Sequence, residues 1–188
     1  MQSLLLRVVC LFLALPAASA FAQTPIPCVS QANLQKISKS FSQFQQFVGN
    51  KTEYCEADLG AQNLKIANSL AILIDAQPNM PTVDADDALT LQAIAESDWW
   101  AYFTARASTV TAQPTCPEGV GAFVMPFFGD GHVHVCPLFF DLSVYTQASI
   151  MMHEVRHFDG FAHVTCTQGF EKGSQGACDD KITTKGSY

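Results

Sequence analysis

Three histidines and one glycine, His153, His157, Gly160 and His163, stand at spacings that dictate a particular backbone path. Four residues of α-helix turn through about 400°, so His153 and His157 share one helix face a single turn apart. Gly160 can enter the left-handed region at no steric cost and so end the helix. The chain then turns back and presents His163 on the same side. The spacing therefore predicts a helix through His157, a reversal at Gly160, and three imidazoles brought towards one point. Three of the five histidines in the 188-residue chain lie in this short run.

Imidazole nitrogens at that spacing can share one zinc ion at about 2.0–2.1 Å each. Zn2+ is thus the expected cofactor, with His153, His157 and His163 as its ligands. Glu154, beside the first of them, stands where a general base acts on a water held at such a metal and returns the proton to a leaving amine. His-Glu-x-x-His alone arises by chance about once in a hundred chains of this length. Requiring Gly160 and His163 as well lowers that rate by about three further orders of magnitude. The competing reading is a polar helix face without a metal. Arg156 lies inside the motif but faces away from the ligand side, which gives it a structural role, pairing with a nearby acid.

The N-terminus reads as an export signal. Met1 to Arg7 carries one positive charge, and Val8 to Leu15 is an unbroken apolar run of eight. Small-x-small cleavage sites follow at Ala18-Ser19-Ala20 and Ala20-Phe21-Ala22. The run falls short of the roughly 20 residues a membrane span needs. Residues 1–22 are expected to be a signal peptide and 23–188 a single domain, either periplasmic or extracellular. Six cysteines remain after the signal: Cys28, Cys55, Cys116, Cys136, Cys166 and Cys178. An even number in an exported chain implies disulfides, and pairing of sequence neighbours gives Cys28–Cys55, Cys116–Cys136 and Cys166–Cys178. Without Arg7 the chain has 9 Lys and Arg against 17 Asp and Glu, a net charge of −8. That balance argues against nucleic acid and anionic membranes as partners. A peptide or protein substrate and a monomeric state are expected.

Hydrophobic periodicity gives the scaffold. Leu34, Ile37, Phe41, Phe44 and Val48 form one stripe, predicting a helix from Ser30 to about Val48. A second helix is expected from Gly60 to Asp75, with Leu64, Ala67, Leu70, Ala71 and Ile74 inward. A third is expected from near Asp84 through Trp99-Trp100 and Phe103, its aromatics read as core rather than as a ligand platform. Residues 23 to about 110 read as part of the fold, not as a prodomain. Two strands, Gly121 to Phe128 and His132 to Cys136, flank the turn Gly129-Asp130-Gly131. The histidine-bearing helix then runs from about Val144 to Phe158, capped by Asp141 or Ser143. His132 and His134 alternate on their strand and point to one side. They line a cleft, hold a second metal, or face solvent at a strand edge; in the first case an extended peptide could pair with residues 132–136.

The stretch Gly129-Asp130-Gly131-His132-Val133-His134-Val135-Cys136-Pro137-Leu138-Phe139-Phe140, followed by the His153-Glu154-x-x-His157 helix, resembles the aspzincins. These are secreted metallopeptidases that include deuterolysins and lysine-specific metalloendopeptidases. The 20-residue step from Cys116 to Cys136 is similar to a disulfide of that family. The resemblance covers about Cys116 to Phe158 and implies a zinc endopeptidase. The family draws its third ligand from an Asp in a Gly-Thr-x-x-Asp-x-x-Tyr-Gly segment, which this chain lacks. Asp179 and Asp180 are the nearest counterparts, with Asp159 a further candidate, and Tyr188 is the one Tyr after the helix that could serve as the family's oxyanion-stabilising Tyr. The longer run through Gly160 to His163 resembles the metzincin motif, but no Met follows Met152 to supply that group's Met-bearing turn.

The expected fold is therefore α+β: a mostly helical, zincin-like single domain with a small antiparallel sheet beside the zinc helix. Two other functions fit the same residues: a secreted zinc-binding protein without turnover, and a zinc hydrolase acting on non-protein amides such as cell-wall peptides.

Overall fold

A computed structural model describes residues 26–75, 98–125, 129–160, 163–165, 173 and 178–179. The signal segment, residues 76–97, Cys166, Asp180 and Tyr188 lie outside the described residues, as does the Cys166–Cys178 pairing. Strand β1 (Val29–Ser30) pairs antiparallel with β2 (Glu53–Tyr54). Between them runs α1 (Gln31–Ser40), which begins where the Ser30 hydroxyl accepts from the Asn33 N–H at 3.2 Å. A 3-10 turn over Ser42–Phe47 follows, then α2 (Glu56–Leu59) and α3 (Ala61–Asp75). Next come α4 (Trp99–Thr104), β3 (Thr109–Ala112), β4 (Ala122–Val124) and β5 (His132–Val135). A 3-10 turn at Pro137–Asp141 leads into α5 (Val144–Arg156), and a second at His157–Asp159 leaves it. Strands β6 (His163–Val164) and β7 (Cys178–Asp179) pair antiparallel.

Helix α3 occupies the centre and packs on α1, α4 and α5. Its buried positions include Leu64, Ala67, Leu70 and Ala71, as the periodicity predicts. Of the predicted first stripe, Leu34, Ile37, Phe41 and Phe44 are fully buried, whereas Val48, beyond the 3-10 turn, is exposed. The stripe is not one helix, however. Phe41 is extended (φ −123°, ψ 100°), and Phe44 belongs to the 3-10 turn beyond it. Steps of three and four suit a 3-10 turn as well as an α-helix, so the stripe fixes burial without fixing continuity. Of the third predicted helix, residues 84–97 lie outside the described residues. Asp98 is extended and its carboxylate accepts from the Ala101 N–H, so α4 begins at its own cap. Its aromatics are core: Phe41 meets Trp100 edge-on at 5.8 Å and Phe103 at 5.9 Å.

The fold is α+β. The antiparallel pair expected around Gly129-Asp130-Gly131 is present, with Phe123 opposite His134 and Val124 opposite Val133. A third strand joins it: β3 runs parallel to β5 on the other side, placing Thr109 opposite His132 and Ala112 opposite Val135. Sheet order is thus β3-β5-β4, with β5 in the middle. Gly131 permits the approach of β3, because a Cβ there would lie 2.8 Å from the Arg106 carbonyl oxygen, and its φ of +66° suits glycine. The two disulfides among the described residues, Cys28–Cys55 and Cys116–Cys136, are those expected. No described helix is long and apolar enough to cross a membrane.

Candidate metal centre

Helix α5 starts at the cap predicted for it. The Ser143 hydroxyl, not the Asp141 carboxylate, accepts from the Thr146 N–H at 3.2 Å. Gln147 ties the helix to the preceding turn by donating to the carbonyls of Phe139 (2.9 Å) and Leu142 (3.1 Å). Ala148, Met151, Met152 and Val155 form the buried stripe, and α3 covers it. Burial of that stripe fixes the rotation of α5 and therefore the direction in which His153 and His157 project.

The reversal occurs where the spacing requires it. After Arg156 the helix tightens into the 3-10 turn His157–Asp159, and Gly160 is left-handed (φ 85°, ψ 11°) with its N–H donating to the His157 carbonyl at 3.1 Å. His163 then returns on β6. The three Nε2 atoms converge: His153 to His163 is 3.0 Å, His153 to His157 3.2 Å, and His157 to His163 2.8 Å. Nitrogens that close on a triangle cannot all be well satisfied by one another's protons, but they are well arranged around a cation. A point about 1.1 Å off their plane lies about 2.0–2.1 Å from each, the zinc–nitrogen distance. The residues present therefore fit a metal ion, and these three are the all-histidine set among the described residues that could hold one. Burial, reinforced by the neighbouring His157, His163 and Arg156, pushes the His153 pKa down to about 3. His153 is then neutral near pH 7, the form that ligates metals.

The carboxylate candidates fare differently. Asp159 is engaged elsewhere: its Oδ2 accepts from the Tyr102 hydroxyl at 2.5 Å and from Arg106 Nε at 2.8 Å. Asp179 stands opposite His163 in the β6–β7 register. Glu154 is only 5% exposed. One turn before it, Ile150 lies against Gly121, just ahead of β4. Arg156 is buried, and its charge reaches both His153 and Tyr102.

His132 and His134 do not join this cluster. They share one face of β5, opposite the buried Val133 and Val135. His134 stacks on Phe123 at 4.7 Å, and its Nδ1 lies 2.7 Å from Gln113 Nε2. His132 Nδ1 is 3.6 Å from Asp130. Among the described residues the pair belongs to no group of three metal-ligating side chains whose ligand atoms all lie within 4.8 Å of one another. Two expectations for this strand are corrected. It is not a strand edge, and a peptide cannot pair with residues 132–136, because β3 and β4 already occupy both sides of β5.

The Tyr102–Arg106–Asp159 cluster is absent from the sequence reading. Its signals were a core tyrosine, whose hydroxyl needs a partner, and Arg106 one helical turn beyond it. A separate cavity of about 640 Å³, lined in part by Lys65, Phe140, Ser143 and Tyr145, lies at the other end of α5. His153 is nine residues along the helix from Val144, about 14 Å, so that cavity does not adjoin the histidines.

Comparison with protein-family models, with curated proteins and with solved structures yields no match, so the likeness to zinc peptidases rests on the residues of the motif and on the geometry they adopt.

Proposed function

We propose that this chain is an exported, zincin-like zinc metallopeptidase. The observation that carries the reading is the convergence of the His153, His157 and His163 Nε2 atoms to within 3.2 Å, with Glu154 next to His153 in the sequence. His153 and His157 are preset by the core packing of α5, and His163 by the turn at Gly160 and the β6–β7 pairing. Zinc held there supplies Lewis acidity towards a carbonyl and towards water. Glu154 takes the proton of the attacking water and passes it to the departing amine, the acid–base work that one carboxylate can do in succession. His163 is exposed, which leaves the histidine cluster open to a substrate from that side. The acidic chain favours peptide over nucleic-acid substrates.

One observation favours a second reading, a zinc-binding protein without turnover: the low exposure of Glu154. The test is zinc content and casein hydrolysis of the exported protein beside Glu154→Gln and His163→Ala. The peptidase reading expects one zinc in the parent and in Glu154→Gln, with hydrolysis in Glu154→Gln reduced by about 10²–10⁴-fold. It expects the zinc content to fall in His163→Ala, where two histidines leave only a weaker site. Zinc retained in His163→Ala would transfer the third position to Asp179 or Asp180. Zinc bound without hydrolysis in the parent would establish the second reading.

A further inference from the structure

We propose that Asp159, held by Tyr102 and Arg106, is a positioning residue that presets His163 against His153 and His157. The inference rests on the metal-site reading above and adds the part of the molecule that keeps the site assembled.

Asp159 is the last residue before the left-handed Gly160, two after one ligand and four before another. The turn that carries it is one 3-10 turn, closed by the Gly160 N–H to the His157 carbonyl at 3.1 Å. A single turn of that kind has little stability of its own. It is held instead from outside. Asp159 Oδ2 accepts from the Tyr102 hydroxyl at 2.5 Å and from Arg106 Nε at 2.8 Å, and the adjoining Nη2 on the same edge of the guanidinium forms an ion pair with it at 2.8 Å. The donors are themselves locked. Arg106 lies over the Tyr102 ring at 3.6 Å, and its Nη1 donates to the Tyr102 carbonyl at 3.1 Å. Tyr102 is core, on a helix that packs against α3 and α5.

The required precision shows why such a brace matters. His163 follows Asp159 by four residues, so a change in the angle of the turn is carried into its position. Metal–ligand distances tolerate about 0.2 Å. The turn and the two-residue β6–β7 pairing hold His163 only locally, whereas the Asp159 carboxylate ties the turn to an independently packed helix. Asp159, considered above as an alternative ligand, acts on the metal through the backbone that it orients.

The experiment is a thermodynamic cycle on the purified full chain. Zinc affinity is measured by competition with a chromophoric chelator in the parent, Tyr102→Phe, Asp159→Asn and His163→Ala, and in Tyr102→Phe combined with His163→Ala. Thermal unfolding of each metal-free protein is recorded beside it. Tyr102→Phe and Asp159→Asn are each expected to weaken zinc binding by about tenfold, the lower end of what outer-shell changes cost. In the His163→Ala background, Tyr102→Phe is expected to change the remaining affinity less than twofold, because there is no third ligand left to position. Cobalt loading supplies a second readout, with the tetrahedral visible bands of the parent losing intensity in both variants. Tyr102→Phe keeps the buried ring, so it carries the test if Asp159→Asn does not fold. An unchanged zinc affinity with only a lowered unfolding midpoint would reduce the cluster to a structural tie and overturn the proposal. So would an equal loss in the His163→Ala background. A parent protein that binds no zinc would instead remove the metal-site reading itself, and the positioning role with it.

Discussion

Gly160 offers a way to measure how much of the metal site is stored in one backbone angle. Its φ of +85° is a conformation that side-chain-bearing residues rarely adopt, and apart from its chain neighbours nothing among the described residues lies within 4 Å of where a Cβ would stand. The cost of a substitution is therefore torsional and owes nothing to collision. For alanine the left-handed region costs about 1–2 kcal/mol. Asparagine tolerates that region better, and a β-branched valine less well. If the turn holds this angle whether or not metal is bound, the cost appears as lost stability of the metal-free protein. If it relaxes without metal, the cost appears as weaker zinc binding, about 5- to 30-fold at 1.4 kcal/mol per decade. The two losses together should come to about 1–2 kcal/mol for Gly160→Ala. They should rank Gly160→Asn below Gly160→Ala below Gly160→Val. The assay is zinc competition and metal-free thermal unfolding on the same four proteins. Alanine and valine variants as stable and as tight as the parent would refute the reasoning, since His163 would then reach the cluster by some other backbone path.

Two further outcomes follow from the core and the sheet. Met151 is fully buried on the face of α5 that meets α3, with its sulfur 3.7 Å from the Ser69 hydroxyl; Met151→Ala is expected to cost about 2–5 kcal/mol of stability, read by denaturant unfolding of the metal-free protein. Burial, and after it the neighbouring His132, lowers the His134 pKa below its ordinary 6.5. Between 6.5 and that lower value the unfolded chain binds more protons than the folded one, so stability is lost as pH falls below 6.5; His134→Gln should flatten this part of the pH–stability curve, and an unchanged curve would show that His134 titrates alike in both states.

What could be read from the sequence divides by distance along the chain. The helix, its Ser143 cap, the Gly160 reversal and the three converging histidines all depend on residues within about twenty positions of one another. Local rules of helix period, capping and glycine conformation are sufficient there. Burial was equally legible, since Leu34, Ile37, Phe41 and Phe44 are interior as their spacing implies. Helix continuity was not, because a 3-10 turn buries the same spacing and Phe41 breaks the run. Strand β3 escaped notice because Thr-Val-Thr-Ala carries one strongly apolar residue, Val110, and pairs with a strand some twenty residues later. Parallel pairing leaves no turn signal in the sequence between its strands. The consequence reached further than one strand. With β3 in place β5 is central, and the peptide-pairing role of residues 132–136 disappears.

The same division separates the ligands from what steadies them. His153, His157 and His163 span eleven residues, and their chemistry is written in their spacing. Asp159 and Tyr102 are 57 residues apart. Nothing about an acid in a turn, or a tyrosine among core aromatics, announces that the two will meet. The physical demand that joins them is nonetheless general. A buried phenol requires a partner, and burial together with the Asp159 hydrogen bond pushes the Tyr102 hydroxyl well above its ordinary pKa, so it remains a donor at any physiological pH. A short 3-10 turn, leading to a ligand that tolerates only small displacement, gains from an external anchor. Each half of the cluster thus supplies what the other lacks. The long-range contact follows from two local deficits, one in the core and one at the end of the helix, and each can be found in the sequence once it is known to need an answer.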